Sequence, residues 1–322
     1  MLRAKSPVKY QVNPPIEQIN GVIKLCDKGQ LSEALEQAKR LIFRFPSSIT
    51  MLNILAIINQ SVGQLSDAEL CFQKMIFLDQ NCIEAYRSLG NILYTQGKLD
   101  EAATKFQCAL LIQPKNAEIQ NNLGVILQDQ GKFSEAITAF ENAISIKPEY
   151  ITAIRNLGNA FRELQKPVDA LGAYQDVLAL NPRDVDAQCN MGVIFQDQGE
   201  FDDAIIAYNL ALDIDPEYEK AYFNKGVTLQ SQHKLDAAVA VYQTVLSINP
   251  NYSEVYNNMG TALYKQGKFS EAMSAYERLI ELEPNHADVH NNVGATLQKM
   301  NKLDEAIAAY ERALAITPDY AE

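Results

Sequence analysis

Short runs of apolar residues recur along most of the chain at the three- and four-residue spacing of an amphipathic helix. The stretch from Glu118 to Asp129 is one such run, Gly131 interrupts the pattern, and a second run begins near Ser134. A glycine between two helical runs is a strong turn signal. The pattern therefore predicts a helical hairpin, which is a pair of helices joined by a tight turn.

The hairpin pattern repeats every 34 residues. Only Gln80 breaks a series of prolines that keeps this spacing: Pro46, Pro114, Pro148, Pro182, Pro216, Pro250, Pro284 and Pro318. When the proline is counted as position 32, the chain divides into nine repeats: 15–48, 49–82, 83–116, 117–150, 151–184, 185–218, 219–252, 253–286 and 287–320. We expect residues 1–14 to form an N-terminal tail and residues 321–322 to begin a truncated tenth repeat.

Three further positions of the repeat carry one residue type in all or most of the nine repeats. Position 8 is glycine in seven repeats: Gly90, Gly124, Gly158, Gly192, Gly226, Gly260 and Gly294. Position 20 is alanine in all nine repeats, and position 24 is aromatic in eight, from Phe72, Phe106 and Phe140 to Tyr174, Tyr208, Tyr242, Tyr276 and Tyr310. Small residues let two helices approach closely, so a larger residue at Ala136 should overpack the pair by about 1–3 kcal/mol.

This set of positions resembles the tetratricopeptide repeat, and the resemblance covers nearly the whole chain. It implies an all-α fold, a right-handed superhelical solenoid of antiparallel helix pairs. In this family the first helix of each repeat lines a concave groove. Because one hairpin cannot cover its own apolar face, stability must come from stacking neighbouring repeats into a continuous core. The repeat arrays of O-GlcNAc transferase and of bacterial transferases that contain such repeats are similar.

Serine and aspartate residues recur near the predicted start of the second helix of each repeat. Their side-chain oxygens could accept a backbone N–H that has no partner within the helix. We therefore predict N-caps at Ser32, Ser66, Asp100, Ser134, Asp202, Asp236, Ser270 and Asp304, with repeat five departing at Pro167 and Val168.

Position 6 of the first helix is asparagine in six consecutive repeats, and in this family that position faces the groove. The residues are Asn122, Asn156, Asn190, Asn224, Asn258 and Asn292. An asparagine amide can pair with both the N–H and the C=O of an extended peptide, whatever side chains the peptide carries. We interpret the column as a peptide-binding ladder, like the one in O-GlcNAc transferase. The alternative is that asparagine is simply common at this position.

A second candidate site follows from the resemblance to co-chaperones of this family, which hold the terminal carboxylate of a partner. Four of the five positions used there are matched by Arg155, Asn159, Asn190 and Lys220, whereas Asn224 replaces the last basic residue. Arg162 lies two turns beyond Arg155 on the same helix face and could add positive charge. Repeats three and four hold a weaker set in Arg87, Asn91 and Asn122, with Thr152 where a base is expected. The alternative is that these are solvated charges paired with acids such as Glu163 and Asp186.

The first two repeats are apolar where the later repeats are polar. Their groove-side positions hold Ile16, Ile19, Ile23, Ile54 and Ile57. Such a strip could bind a hydrophobic anchor, form a dimer through repeats one and two, or be covered by residues 1–14. The alternative is that the isoleucines pack the N-terminal end of the array.

The composition limits the classes of partner that the chain is expected to bind. The formal net charge of −12 argues against nucleic acid or an anionic membrane as the main partner, because both attract basic surfaces. The five cysteines form no CxxC pair, and no signal peptide or membrane-spanning stretch is evident, so we expect a cytoplasmic protein. His286 and His290 have the spacing of a zinc pair but lack a third ligand, so we predict no metal or other cofactor.

Two functions from different classes are compatible with these patterns. The first is a non-enzymatic interaction scaffold that binds a protein or peptide, for which an acidic or C-terminal carboxylate group is a candidate feature. No phosphate-binding glycine loop, nucleophile elbow or HExxH motif is present. The second is a substrate-recruiting arm of a longer sulfotransferase or glycosyltransferase, because the sequence stops two residues into a tenth unit and similar bacterial arrays precede such domains.

Overall fold

The computed structural model of the protein describes residues 13–318. Within these residues there are 18 α-helices and no β-strand. The predicted start of a tenth repeat and most of the predicted N-terminal tail lie outside the described residues. The chain divides into two compact units, and the boundary along the sequence lies between Leu164 and Gln165, in the turn after the first helix of repeat five.

The helices alternate between first and second members of a repeat. In the first unit they are α1 (Ile16–Asp27), α2 (Leu31–Arg44), α3 (Ile49–Ser61), α4 (Leu65–Leu78), α5 (Ile83–Thr95), α6 (Leu99–Ile112), α7 (Ala117–Asp129), α8 (Phe133–Ile146) and α9 (Ile151–Glu163). In the second unit they are α10 (Pro167–Leu180), α11 (Val185–Asp197), α12 (Phe201–Ile214), α13 (Glu219–Ser231), α14 (Leu235–Ile248), α15 (Ser253–Lys265), α16 (Phe269–Leu282), α17 (Ala287–Lys299) and α18 (Leu303–Ile316).

Each turn between paired helices passes through a left-handed backbone conformation. Gly131, between α7 and α8, has φ of 72°, and five further turn glycines are alike. L-residues with a Cβ adopt this conformation only at a cost of about 1–2 kcal/mol. Gln165, His233 and Asn301 nevertheless occupy the same position with φ of 55°, 59° and 62°. The hairpin therefore requires a left-handed backbone conformation in the turn whichever residue stands there, and glycine adopts it with the least strain.

Two glycine-to-alanine substitutions should change stability in opposite directions. Gly131→Ala should lower the free energy of unfolding by about 1–2 kcal/mol, because alanine is strained at positive φ. Gly172→Ala should raise it by about 1 kcal/mol, because Gly172 lies inside α10 and a Cβ there meets nothing within 4 Å. Urea unfolding of the two variants measures both values, and two changes of the same sign would contradict this account.

The predicted N-caps of the second helices are wrong. In repeat four, α8 begins at Phe133, its N-cap is Lys132 without a side-chain hydrogen bond, and Ser134 lies within the first turn. The carbonyl of Lys132 already accepts the N–H of Ala136 at 3.0 Å. The other second helices also begin one residue before the predicted serine or aspartate, and α10 begins on Pro167 itself. Acidic residues in a first turn still interact favourably with the helix dipole.

Side-chain N-caps occur on first helices instead. The side chains of Ser48, Asn116 and Asp184 accept the backbone N–H of the residue three positions later, at 3.2, 3.1 and 3.0 Å. The repeat proline lies beyond the end of the preceding second helix, as at Pro148, where α8 has already ended at Ile146. Proline cannot continue a helix, so it fixes the passage from one repeat to the next.

The core of each helix pair is built from the glycine, alanine and aromatic positions of the repeat. Phe140 and Ala136 are fully buried on α8. A Cβ built on Gly124 of α7 would lie only 2.5 Å from Cε1 of Phe140, so the glycine is what allows the ring to lie against the first helix. Repeat one uses a different combination, with Val22 and Ala38 both fully buried at the corresponding positions.

Several pairs of successive first helices approach one another directly within each unit. The pairs are α1 with α3 and α7 with α9 in the first unit, and α11 with α13, α13 with α15 and α15 with α17 in the second. Across residues 13–318, no two successive second helices approach each other to the same extent. The predicted fold class, an all-α solenoid of antiparallel helix pairs, is confirmed. We call the more closely spaced surface, formed by the odd-numbered helices of each unit, the first-helix face.

Candidate functional site

The six predicted ladder asparagines all lie on first helices. Asn122 and Asn156 belong to α7 and α9 of the first unit, and the other four belong to α11, α13, α15 and α17 of the second. Five of them are half-buried, whereas Asn190 is only 4% exposed. Asn190 therefore has the least side-chain surface to offer a ligand.

Three of these amides are bonded to the preceding repeat. Asn156 Nδ2 donates to Asn121 Oδ1 at 3.0 Å, and Asn292 Nδ2 donates to Asn257 Oδ1 at 3.1 Å. Asn224 Nδ2 lies 3.7 Å from the sulfur of Cys189, which occupies the same position as Asn121 in its own repeat. Part of the hydrogen-bonding capacity of the column therefore links neighbouring repeats, a role that the repeat pattern alone did not indicate.

Other polar side chains join successive first helices along the same face. Tyr94 Oη donates to Asp129 Oδ2 at 2.6 Å, and this hydrogen bond, together with burial, raises the pKa of Tyr94. Thr228 Oγ1 donates to Gln196 Oε1 at 2.5 Å. These bonds connect repeat three with repeat four and repeat six with repeat seven, so they hold the register of first helices within each unit.

The residues proposed to bind a carboxylate divide between the two units. Arg155 and Asn159 lie half-buried on α9 of the first unit, whereas Asn190 and Lys220 belong to the second unit. Lys220 Nζ donates to Asn190 Oδ1 at 3.1 Å, so the structure brings these two residues together. Lys220 also lines a cavity of about 480 Å³ beside Asp215, Glu217 and Glu219, so its positive charge has acidic neighbours.

The remaining predicted basic residues are paired with local acids. Arg87 Nη1 lies 2.8 Å from Glu118 Oε1, and Arg162 Nη2 lies 3.1 Å from Glu163 Oε1. These ion pairs are partly solvent-exposed, and such pairs contribute little to stability. Asn91 is exposed on α5. Arg87 and Arg162 thus each pair with a nearby acid, as the alternative interpretation expects.

The isoleucine strip of the first two repeats is only partly on the surface. Ile16, Ile23 and Ile57 are exposed, with 61%, 41% and 50% of their surface accessible. Ile19 is buried in the core, and Ile54 packs against the core. The exposed strip is therefore shorter than the sequence pattern indicated.

A second set of exposed apolar residues lies on the second helices of repeats one to three. These residues are not among the candidates predicted from the sequence. Phe43, Phe77 and Leu111 occupy the same repeat position on α2, α4 and α6, and each is more than 80% exposed. Later repeats have Ser145, Ala179 and other small or charged residues there. This change of residue type between early and late repeats is visible in the sequence and could have identified the exposed set. Large apolar residues that are this exposed are candidates for an interaction site.

Buried tyrosines of the second unit extend polar groups towards the first helices. Tyr208 Oη donates to Gln196 Oε1 at 3.0 Å, and Tyr242 Oη donates to Gln230 Oε1 at 3.1 Å. Burial raises the pKa of both phenols. Both phenols therefore remain protonated hydrogen-bond donors at neutral pH.

His290 has a partner on the protein backbone. It is buried on α17, and its Nε2 lies 3.0 Å from the carbonyl oxygen of Pro284. Within residues 13–318 there is no group of three His, Cys, Asp or Glu residues placed to hold a metal ion. The same part of the chain contains no helix that combines the length and the apolar composition required to cross a membrane.

Comparison with protein-family models and solved structures places this geometry among known proteins. Models described as TPR repeat match residues 90–131 and 229–267, and models described as tetratricopeptide repeat match residues 117–150, 155–219 and 257–321. No curated protein sequence matches the chain significantly.

Three solved structures are similar to the chain at 18–20% identity. A tetratricopeptide repeat protein from Parabacteroides merdae is 20% identical, with 75% of this chain and 95% of that chain covered and a TM-score of 0.59. A chain of the APC/C hetero-tetramer Cut9–Hcn1 is 18% identical, covering 91% and 57%, with a TM-score of 0.57. Pseudomonas aeruginosa PilF is 20% identical, covering 63% and 92%, with a TM-score of 0.55. At these identities the similarity concerns the fold alone.

Proposed function

This chain belongs to the tetratricopeptide repeat family, and from that premise we propose that it is an interaction scaffold whose first-helix face binds an extended segment of a partner protein. Proteins of this family are typically non-enzymatic scaffolds for protein–protein interaction. The observation that carries the proposal is the column of six asparagine amides at the same position of consecutive first helices, five of them half-buried.

The amide chemistry suits a peptide backbone. An asparagine side chain has two N–H donors and one acceptor, so a single bond to the preceding repeat leaves further capacity. Packed helices lie roughly 10 Å apart and an extended chain rises about 3.3 Å per residue, so one asparagine would meet about every third residue of the ligand. Contacts with the ligand backbone would give affinity for many sequences.

Asn258 provides the sharpest test of the ladder. Its side chain lines a cavity on the first-helix face, so removal of its amide should weaken binding while the fold is kept. We expect Asn258→Ala to weaken the binding of peptides selected from a random library by about 5-fold, the effect of one lost hydrogen bond. Fluorescence anisotropy with labelled peptides measures this change.

Asn142→Ala is the matched control, because Asn142 is exposed on the second helix α8. It should leave the affinity unchanged. Equal affinities of both variants and the parent protein for every selected peptide would refute the ladder, and a library that yields no binding peptide would refute the proposed function.

We also propose that an acidic residue or C-terminal carboxylate of the ligand binds near Arg155 and Asn159 in the first unit, where Arg87 with Asn91 would form a weaker counterpart. Asn190 and Lys220 would offer the same chemistry within the second unit. Charge-assisted hydrogen bonds would supply the affinity, and added salt should weaken it. Titration of acidic peptides against the parent protein and Arg155→Ala tests this proposal. Unchanged affinity for every acidic peptide would rule it out.

A dimer through repeats one and two is a further proposal. The exposed apolar residues Ile23 and Ile57 on the first helices, and Phe43 and Phe77 on the second helices, support it. Light scattering of Ile23→Ser/Ile57→Ser and of Phe43→Ser/Phe77→Ser would identify which face pairs. A parent protein that is monomeric at all concentrations would exclude the dimer.

A further inference from the structure

We infer that the bound segment carries a lysine or arginine whose side chain enters a cavity on the first-helix face of repeats seven and eight. The inference rests on the proposed function, since it specifies the chemistry of the same ligand. It adds a basic residue to a ligand for which the sequence indicated only an acidic group.

The cavity is formed by α13, α15, the C-terminal end of α16 and the turn that leads into α17. Its volume is about 370 Å³, near the lower end of the range for small-molecule sites and large enough for one long side chain. Its lining includes Phe223, Glu254, Asn257, Asn258, Glu283 and His286. Asn258 is a member of the ladder, so an extended ligand that contacts the ladder would pass the mouth of the cavity.

The charge of the lining favours a cation. Glu254 and Glu283 supply two carboxylates, and none of the residues described around the cavity is a lysine or arginine. Ser253 Oγ donates to Glu254 Oε2 at 3.2 Å, which fixes one carboxylate without neutralising it. A positively charged side chain would form charge-assisted hydrogen bonds with these groups, whereas a carboxylate would be repelled.

The second unit as a whole also carries an excess of negative charge. Residues 165–318 contain 22 acidic and 11 basic residues, which give a net charge of −11, whereas residues 13–164 contain 16 acidic and 14 basic residues and have a net charge of −2. An acidic surface of this kind attracts basic segments and speeds their association. The cavity therefore lies in the unit whose overall charge suits a basic ligand.

The cavity also contains an aromatic ring, which an acidic surface alone would lack. Phe223 lines the cavity from a position where Arg155, Cys189 and Asn257 stand in neighbouring repeats. Its ring stacks on Tyr252 with 5.3 Å between the ring centroids and 24° between the planes, so its orientation is fixed. Guanidinium and ammonium groups bind favourably near such rings, and the stem of a long basic side chain packs on apolar surface.

The test begins with peptides of about 12 residues, long enough to span roughly four repeats, selected from a random library on the whole protein. Each arginine of a selected peptide is then replaced by citrulline, which has nearly the same shape and no charge. We expect one such replacement to weaken binding by about 10-fold. Lysines are tested in the same way by acetylation.

The protein side of the test uses Glu254→Gln/Glu283→Gln, with Glu271→Gln/Glu277→Gln as the control. The control changes the net charge equally at exposed positions of the second helix α16. The cavity variant should bind the basic peptide about 10-fold more weakly than the parent protein does, and should bind the citrulline form with unchanged affinity. The control variant should show a small loss of affinity that is equal for both peptides.

The possible outcomes separate the two proposals. Peptides that bind through the asparagine ladder but tolerate neutralisation of every basic residue would overturn the cation inference and leave the proposed function intact. Equal losses of affinity for the basic peptide in the cavity variant and its control would also overturn the cation inference, because the effect would then come from net charge and not from the cavity. If no peptide binds, both proposals fail.

Discussion

Replacing Phe140 with alanine should lower the free energy of unfolding by about 3–5 kcal/mol. The ring is fully buried and lies against Gly124 of the partner helix, where even a single Cβ would clash. Its removal would leave a cavity inside repeat four, bordered by residues that already pack against their neighbours. Because the helix pairs of the first unit share one core, the loss should also weaken the adjacent repeats.

Phe77→Ala is the matched control for this prediction. It removes the same ring from the second helix of repeat two, but Phe77 is 85% exposed, so stability should change by only about 0.5 kcal/mol. Urea unfolding followed by circular dichroism measures both variants, and amide hydrogen exchange shows whether α7 and α8 open first. Equal losses in the two variants would mean that the repeat core does not depend on the aromatic position.

The sequence was sufficient for the helix pairs because their signals are local. The helical spacing of apolar residues, the turn glycines and the prolines each act within a few residues. The 34-residue period repeats these signals, and the helices of the structure follow them. The N-caps failed for a physical reason. A serine or aspartate is favourable both as an N-cap and within the first turn, so residue type alone could not distinguish Ser134 at the cap from Ser134 one residue inside α8.

The candidate site depended more on stacking between repeats. Helical periodicity placed the asparagines on one type of helix, but it could not show that Asn156 bonds to Asn121, because these residues are 35 positions apart. The same limit applies to the isoleucine strip. Ile19 and Ile23 are one turn apart on α1, yet only Ile23 is exposed, and this difference depends on the neighbouring helices.

The aromatic position distinguishes the two units chemically. It is phenylalanine in repeats two to four and tyrosine from repeat five onwards. Tyr208, Tyr242 and Tyr276 are all buried, and burial is the main cause that raises the pKa of each phenol above its usual value of 10.0. An unfolded chain ionises these groups near pH 10, whereas the folded chain keeps them protonated to higher pH. Each therefore favours unfolding increasingly as the pH rises above 10.

The second unit should consequently lose stability steeply in alkaline solution. Each buried tyrosine contributes a slope of up to about 1.4 kcal/mol per pH unit once the unfolded phenol has ionised, so the three together contribute up to about 4 kcal/mol per unit. Below pH 10 both states hold the proton, and the contribution to the pH dependence vanishes. Urea unfolding at a series of pH values, with tyrosine ionisation followed by ultraviolet absorbance, measures the slope.

The triple variant Tyr208→Phe/Tyr242→Phe/Tyr276→Phe is the control for this linkage. Near neutral pH it should be less stable than the parent, because the hydrogen bonds to Gln196, Gln230 and Thr261 are lost at about 0.5–1.5 kcal/mol each. Above pH 10 the difference should narrow and then reverse, since the variant has no phenols to ionise at these positions. Parallel stability curves through pH 11 would contradict the prediction, because ionisation of lysines and exposed tyrosines is common to both proteins and cancels in the comparison.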